Sequence, residues 1–199
     1  MFANRFTALL DASVLADVTK RDLIFTLAHA EMYRFRWTEE SLAEAGEQYR
    51  ERLSELGKTA EEVELRSDTM RARLIGLFPE AMIVDKGREG PAHPGTDCTV
   101  TSAVYRAAIL CRASVFVTDA SQQYEASVFD SISVELKSGD AFIADAIDLD
   151  PVRAATAVKR LRTRYRKTPT SAEELLDIWE QKHGLVNAVA LLRPYQDLI

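Results

Sequence analysis

The chain of 199 residues contains little cysteine and little histidine. Its two cysteines, Cys98 and Cys111, form no CxxC pair, which argues against a disulfide framework and a structural zinc site and favours a reducing cytosol. The three histidines, His29, His93 and His183, belong to unrelated parts of the sequence. Their spacing offers no Ser-His-Asp or Cys-His arrangement for nucleophilic catalysis.

Long apolar runs are also missing. No segment approaches the roughly 20 consecutive apolar residues that cross a bilayer. The N-terminal apolar segment contains charges, and no small-residue cleavage pattern follows it. We therefore expect a soluble cytoplasmic protein without membrane contact. A hydrophobic content of 47% still suffices for a buried core, and the length fits one domain, with or without a helical extension.

Acidic residues outnumber basic ones by 31 to 25, for a formal net charge of −6. Such a surface repels nucleic acid, so any contact with it needs a local basic patch. Seven of the 25 basic residues fall between positions 153 and 167, and helical spacing places Arg153, Arg160, Arg164 and Lys167 in one row. This row either follows a phosphate backbone or pairs with an acidic surface of this protein or of a partner.

Residues 1–138 alternate between strand-like and helical patterns. This order predicts a three-layer α/β/α domain in which helices cover both faces of a mostly parallel sheet. The predicted strands lie at 6–10, 81–84, 114–118 and 131–136, and the predicted helices at 21–30, 39–56, 60–78 and 101–112.

Residues 139–199 show three helical segments and no strand pattern, which predicts an all-α C-terminal extension. We expect Asp150 to begin one of these helices and Ser171 the next, since both residue types are favoured N-caps. The first of the two helices carries an apolar stripe that includes Ala154, Leu161 and Tyr165. We expect the stripe to pack on the α/β domain and to bring the basic row toward its acidic end.

Asp11 directly follows the first predicted strand. Ligands of open parallel sheets gather outside the carboxyl ends of the strands, where an aspartate can hold a hard cation such as Mg²⁺. The alternative is that Asp11 caps the helix or turn that comes next.

Four segments carry a likeness to a known family: FTALLDASVL, RDLIFTLAHAEMYRFRWTEESLAE, TSAVYRAAILCRASVFVTD and KSGDAFIADAIDLDPVRA. With them the chain resembles the PIN-domain family over nearly its whole length, and within it the nuclease toxins of bacterial toxin–antitoxin pairs. The last segment is similar to a longer subgroup with a helical tail. The resemblance implies an endoribonuclease that depends on Mg²⁺ or Mn²⁺, uses three or four acidic residues at one end of the sheet, and is silenced by a small antitoxin.

The family's acids match this sequence in part. The resemblance assigns the first acid to Asp11 and the second to Glu44, as catalytic residues and metal ligands. Its third and fourth acidic positions fall on Thr101 and Gln123. Neutral side chains cannot supply the negative charge that concentrates a divalent ion, so the expected site is depleted.

Two nearby acids are candidates to compensate. Asp119 follows the third predicted strand and is a further candidate ligand and catalytic residue, and Asp97 is a candidate catalytic residue that alternatively caps a helix. Glu44 also has a second interpretation, because Glu40, Glu44, Glu47 and Glu51 form one acidic stripe that is typical of a solvated helix face.

The sequence is compatible with two functions of different classes. The first is a metal-dependent endoribonuclease toxin with a small antitoxin as its partner. The second is a catalytically degenerate PIN-fold module that binds nucleic acid or the antitoxin. The sequence leaves open a DNA substrate in place of RNA and a second copy of the chain as a further partner.

Overall fold

The computed structural model describes residues 6–84, 99–165 and 171–199, without the side chains of 99–102. The strands are β1 (Thr7–Leu10), β2 (Arg34–Arg36), β3 (Val115–Val117) and β4 (Glu135–Lys137). The α-helices are α1 (Ala12–Ala16), α2 (Val18–His29), α3 (Glu39–Glu55), α4 (Ala60–Leu77), α5 (Thr99–Cys111), α6 (Ala126–Asp130), α7 (Gly139–Leu149), α8 (Pro151–Arg162), α9 (Ala172–His183) and α10 (Val186–Leu192).

The strands form a parallel sheet in the order β2-β1-β3-β4. Leu9 of β1 lies opposite Phe116 of β3, and Phe116 lies opposite Leu136 of β4. The two central strands are almost entirely buried, as continuous apolar runs in parallel sheets usually are. The predicted α/β/α class with a helical C-terminal region is confirmed. Because β1 and β3 run side by side, Asp11 and Thr118 leave the sheet at the same edge.

Two of the expected strands differ from the observed ones. The segment expected as a strand at 81–84 begins with a 3₁₀ turn (Pro79–Ala81), and Met82 makes a single parallel bridge to Trp37. The segment expected at 131–136 first forms a turn, in which Ser133 adopts a positive φ of 57°, so β4 spans only its end. Strand β2 was not expected, since a three-residue strand is too short to show a period of two.

One compact unit contains Phe6–Asp17 and Phe35–Lys137, and therefore most of the sheet. Helix α3 packs against α1 and α4 within it. It begins at Glu39 as predicted, and Thr38 is its N-cap. The helix ends at Glu55, one residue before the predicted end, and Leu56 forms its C-cap and is 69% exposed. Trp37 is fully buried.

The second compact unit contains Val18–Arg34 and Ser138–Ile199, so α2 groups with the tail. Asp150 and Ser171 cap α8 and α9 as expected. Ala154 and Leu161 of the apolar stripe are buried, and α8 packs against α2 in this unit. Packing of the tail on the α/β domain stays a prediction.

The described part of the tail contains one α-helix more than the sequence pattern indicated, because the short α10 follows α9 after Gly184. That glycine caps α9 in the left-handed conformation, with a φ of 64°.

A buried carboxylate stabilises the start of α10. Asp140 accepts hydrogen bonds from the backbone N–H of Asn187 (2.9 Å), from the Asn187 side-chain amide (2.9 Å) and from the backbone N–H of Ala188 (3.0 Å). A negative charge at a helix N-terminus is favourable because the first N–H groups have no partner within the helix. Asp140 therefore connects the beginning of α7 to the beginning of α10.

In the described ranges no helix has the length and hydropathy of a membrane span.

Candidate active site

Asp11 lies between β1 and α1, where its backbone bonds to the sheet and its side chain bonds to the start of the helix. Its backbone N–H donates to the carbonyl of Val117 (3.0 Å), which continues the parallel ladder past the end of β1. Its side chain is the N-cap of α1, accepts a hydrogen bond from the N–H of Ser13 (3.4 Å), and is only 5% exposed. The capping role considered for Asp11 is thus confirmed, and the position at the carboxyl edge of the sheet is confirmed with it.

Three hydroxyl groups donate to the Asp11 carboxylate. Oδ2 accepts from Ser13 Oγ (2.6 Å) and Thr118 Oγ1 (2.7 Å). Oδ1 accepts from Tyr124 Oη (2.8 Å). An ionised carboxylate has about four lone-pair directions and only accepts, so this set of donors fits it.

The hydroxyl donors are themselves held by the backbone. The N–H of Asp119 donates to Ser13 Oγ (3.0 Å), and the N–H of Ala120 donates to Thr118 Oγ1 (3.0 Å). The N–H of Thr118 donates to the carbonyl of Lys137 (2.9 Å) at the end of β4. The ends of three neighbouring strands therefore fix the orientation of one carboxylate.

Asp11 opens onto a cavity of about 550 Å³ within the unit that contains the sheet. Glu44 of α3 lines the same cavity, so the structure brings together the two acids that the resemblance matched. The volume is in the range of small-molecule and cofactor sites. The other lining residues are Thr38, Glu39, Glu40, Ser41, Met82, Ile83, Val84, Ala103, Val104, Arg106, Ala107, Leu110 and Tyr124.

Glu44 is exposed and accepts a hydrogen bond from the side-chain amide of Gln48 (3.1 Å). The other three members of the acidic stripe, Glu40, Glu47 and Glu51, are exposed as well. The stripe is therefore a solvated face of α3, and one end of it, at Glu40 and Glu44, borders the cavity.

The other two candidate acids, Asp119 and Asp97, are not among the residues that the structure describes on the cavity wall. Asp119 is exposed and is not part of the cavity lining, although its backbone N–H holds Ser13. Asp97 and the side chain of Thr101 lie outside the described residues. Gln123 ends a short 3₁₀ turn and is exposed.

The donor set suits a hard cation, although it is small. Among the residues whose side chains are described, no group of three or more His, Cys, Asp and Glu residues is placed to hold a metal ion. Mg²⁺ nevertheless is often held by only one or two protein carboxylates, with waters and substrate phosphates completing its shell. Asp11 and Glu44 are two carboxylates on the wall of one cavity, so they are the candidates to hold such an ion.

Two residues of the cavity were missed by the sequence analysis. Tyr124 reaches Asp11 from the same stretch in which the fourth acid was sought, but only acidic residues were considered there. Arg106 lies on α5, is half-buried, lines the cavity, and forms no ion pair with any described residue.

The basic row does not continue along one helix. Helix α8 ends at Arg162, where the Thr163 hydroxyl donates to the carbonyl of Arg160 (2.9 Å) and the following N–H groups form tighter turn bonds. Arg164 therefore lies beyond the helix, and the expected helical alignment of the row is wrong at this point. Lys167 lies outside the described residues.

The charged residues of the row that are described differ in exposure. Arg160 and Arg164 are exposed. Arg153 is half-buried and pairs with Asp150 at 3.2 Å.

Fold and cavity together define an α/β protein with a carboxylate-lined cavity at the carboxyl edge of a parallel sheet and an all-α C-terminal region. Residues 139–194 match a family model described as the VapC50 C-terminal domain. This match supports a relation to the VapC toxins, a group of PIN-domain toxins. It covers a little over a quarter of the chain, and Asp11 and Glu44 lie outside it. No curated protein and no solved structure matches the chain.

Proposed function

We propose that this protein is the toxin of a toxin–antitoxin pair and that it cuts RNA with the help of Mg²⁺ or Mn²⁺. The observation that carries the proposal is the cavity that Asp11 and Glu44 line together at the carboxyl edge of the sheet. The match of residues 139–194 to the VapC50 C-terminal domain supports the toxin class independently, because it concerns a different part of the chain.

The two carboxylates are the groups that would hold the metal. A divalent ion bound there would generate hydroxide from water at neutral pH and stabilise charge on the leaving oxygen. Asp11 supplies a carboxylate with a fixed orientation, because three hydroxyl groups hold it. Glu44 supplies a second carboxylate from α3, and its exposed side chain is able to adapt to the ion.

The chain also offers positive charge for a phosphate backbone. Arg106 lines the cavity in which the scissile phosphate would lie, and its guanidinium is suited to contact phosphate oxygens. Arg153, Arg160, Arg164 and Lys167 of the C-terminal region are proposed to contact RNA further along the strand. A VapB-type antitoxin is the proposed protein partner, and such a complex would form in the cytoplasm.

A matched pair of substitutions on α3 tests the proposal. Glu44→Gln and Glu51→Gln each remove one exposed carboxylate from the same helix face, but only Glu44 lines the cavity. With Mn²⁺ and a single-stranded RNA, Glu44→Gln should slow cleavage by at least about tenfold, the scale of losses when a metal's environment is altered. Glu51→Gln should cleave like the wild type. Equal cleavage by both variants would contradict the role of Glu44.

A binding module without catalysis is the second candidate. The observations that favour it are the neutral Thr101 and Gln123 and the lack, among the described side chains, of a group of three metal-binding residues. Calorimetric titration of the wild type with Mn²⁺ separates the two candidates. A nuclease of this type needs a saturable site, whereas a binding module should show none at millimolar Mn²⁺.

A further inference from the structure

Tyr124 connects the hydrophobic core to the acidic cavity. Its ring packs edge-to-face on Phe116, with a centroid separation of 4.9 Å, and lies 6.2 Å from the ring of Phe129. Its hydroxyl donates to Asp11 Oδ1 at 2.8 Å. Since two buried aromatic rings hold the tyrosine ring, the position of the hydroxyl is set by the core.

The two oxygens of the Asp11 carboxylate are occupied unequally. Oδ2 accepts from the hydroxyls of Ser13 and Thr118, which uses both of its lone-pair directions, and it also lies 3.4 Å from the N–H of Ser13. Within the described structure Oδ1 accepts only from Tyr124. One lone pair of Oδ1 is therefore left for a ligand in the cavity, and the hydroxyl of Tyr124 decides in which direction it points.

We propose that Tyr124 is a positioning residue for Asp11, which holds Oδ1 so that its second lone pair faces a divalent cation in the cavity. This inference rests on the proposed function and adds to it a residue that is not acidic. Gln123, at the position matched to the fourth acid, is exposed. Its neighbour Tyr124 is the residue of this stretch that contacts the site.

Two tyrosine-to-phenylalanine substitutions separate positioning from stability. Tyr124→Phe keeps the ring and its aromatic contacts and removes only the hydroxyl. Tyr33→Phe is the control, because the Tyr33 hydroxyl donates to the carbonyl of Ile24 at 2.6 Å in the other compact unit and lies outside the cavity lining. Each variant loses one hydrogen bond, so both report the cost of that loss to the melting temperature.

The measurement is the dissociation constant of Mn²⁺ for the wild type and both variants by calorimetry. Tyr124→Phe should bind Mn²⁺ about tenfold more weakly, which is the scale seen when a partner of a metal ligand is removed. Tyr33→Phe should bind like the wild type. RNA cleavage by Tyr124→Phe should return toward the wild-type rate when Mn²⁺ is raised in proportion, since the loss concerns metal binding.

The outcomes distinguish this inference from the proposed function. If the wild type binds Mn²⁺ and Tyr124→Phe binds it equally well or more tightly, Tyr124 does not position Asp11, while the nuclease proposal stands. If the wild type itself shows no saturable Mn²⁺ site, the proposed function fails and the role of Tyr124 fails with it.

Discussion

Asp11→Asn should leave the protein folded but remove most of the stabilisation that Mn²⁺ gives to the wild type. An asparagine can place its carbonyl oxygen where Oδ2 accepts from Ser13 and Thr118. Its amide then faces Tyr124, whose hydroxyl is able to accept instead of donate. All three contacts are kept in number, and only the charge-assisted part of each is lost, about 1 kcal/mol per hydrogen bond at most. We expect a net loss of about 1–2 kcal/mol in the free energy of unfolding.

Asp11→Ala would be a poorer test. It orphans three hydroxyl donors and removes the N-cap of α1, which alone is worth about 1 kcal/mol. The total of about 3–5 kcal/mol would be a large part of a typical stability of about 5–15 kcal/mol. Lost activity in that variant would then have a trivial explanation.

The quantity to measure is the increase in melting temperature that Mn²⁺ causes. A ligand that binds only the folded state at 100 times its dissociation constant stabilises it by about 2.7 kcal/mol, which corresponds to roughly 5–10 °C for a chain of this size. The wild type should show this increase, and Asp11→Asn should show little of it. Calorimetric scans with and without Mn²⁺ give both values.

Asp140→Asn is the matched control. Asp140 is also a buried carboxylate that accepts three hydrogen bonds, but it lies in the other compact unit. The side-chain amide of an asparagine at position 140 has only one accepting oxygen and cannot accept from every N–H at the start of α10. We therefore expect a loss of about 1–3 kcal/mol in the free energy of unfolding. This variant should melt earlier and still gain the full increase from Mn²⁺. An equal increase in Asp11→Asn and in the wild type would refute the assignment of Asp11 as a metal ligand.

Two further predictions concern a cation and a thiol. Arg106→Gln should weaken RNA binding and reduce the dependence of that binding on salt, because one phosphate contact is lost. Arg73→Gln is the control and should change neither, since Arg73 is exposed and outside the cavity lining. Fluorescence titrations at several salt concentrations measure both effects, and equal salt dependence in Arg106→Gln and the wild type would exclude a phosphate contact by Arg106. Burial raises the pKa of the Cys111 thiol to about 11, so its alkylation, followed by peptide mass spectrometry, should be slow near neutral pH and rise about tenfold per pH unit up to that value. Fast alkylation of the folded protein at pH 8 would contradict the buried environment. Because the Cys111 thiol of the unfolded chain loses its proton at a lower pH, the free energy of unfolding should also fall as the pH rises from the ordinary pKa of a thiol toward about 11.

Local signals in the sequence predicted much of the fold. Asp150 and Ser171 cap helices as expected, because a cap is decided by one side chain and the N–H groups two or three residues away. The position of Asp11 at a strand end was also predictable from local sequence, since a buried apolar run stops there. Each of these features depends on a few neighbouring residues.

The features that were missed depend on contacts between distant parts of the chain. Tyr124 donates to a residue 113 positions away, and no periodicity encodes that contact. Strand β2 has only three residues, and it is a strand because it joins the sheet beside β1, a pairing that no local pattern encodes. The apolar spacing continues to Tyr165 and so does not show that α8 ends at Arg162, where the N–H groups of Arg164 and Tyr165 bond to carbonyls three residues back.

The charges of the cavity explain why two carboxylates can suffice for the proposed chemistry. Glu39 and Glu40 line the cavity with Asp11 and Glu44, so the described lining carries four carboxylates and one cation, Arg106, while Glu39 also pairs with Arg71 at 3.5 Å. A phosphate group that enters without a counterion would meet net repulsion from these carboxylates, and salt weakens that repulsion because the three glutamates are exposed. The same field raises the local concentration of divalent cations, even where a carboxylate does not coordinate them directly. Neutral residues at the third and fourth acidic positions reduce the number of ligands, but the carboxylates of the lining keep a negative charge at the cavity. We therefore expect a divalent ion to bind at Asp11, whose carboxylate is held by three hydroxyl donors.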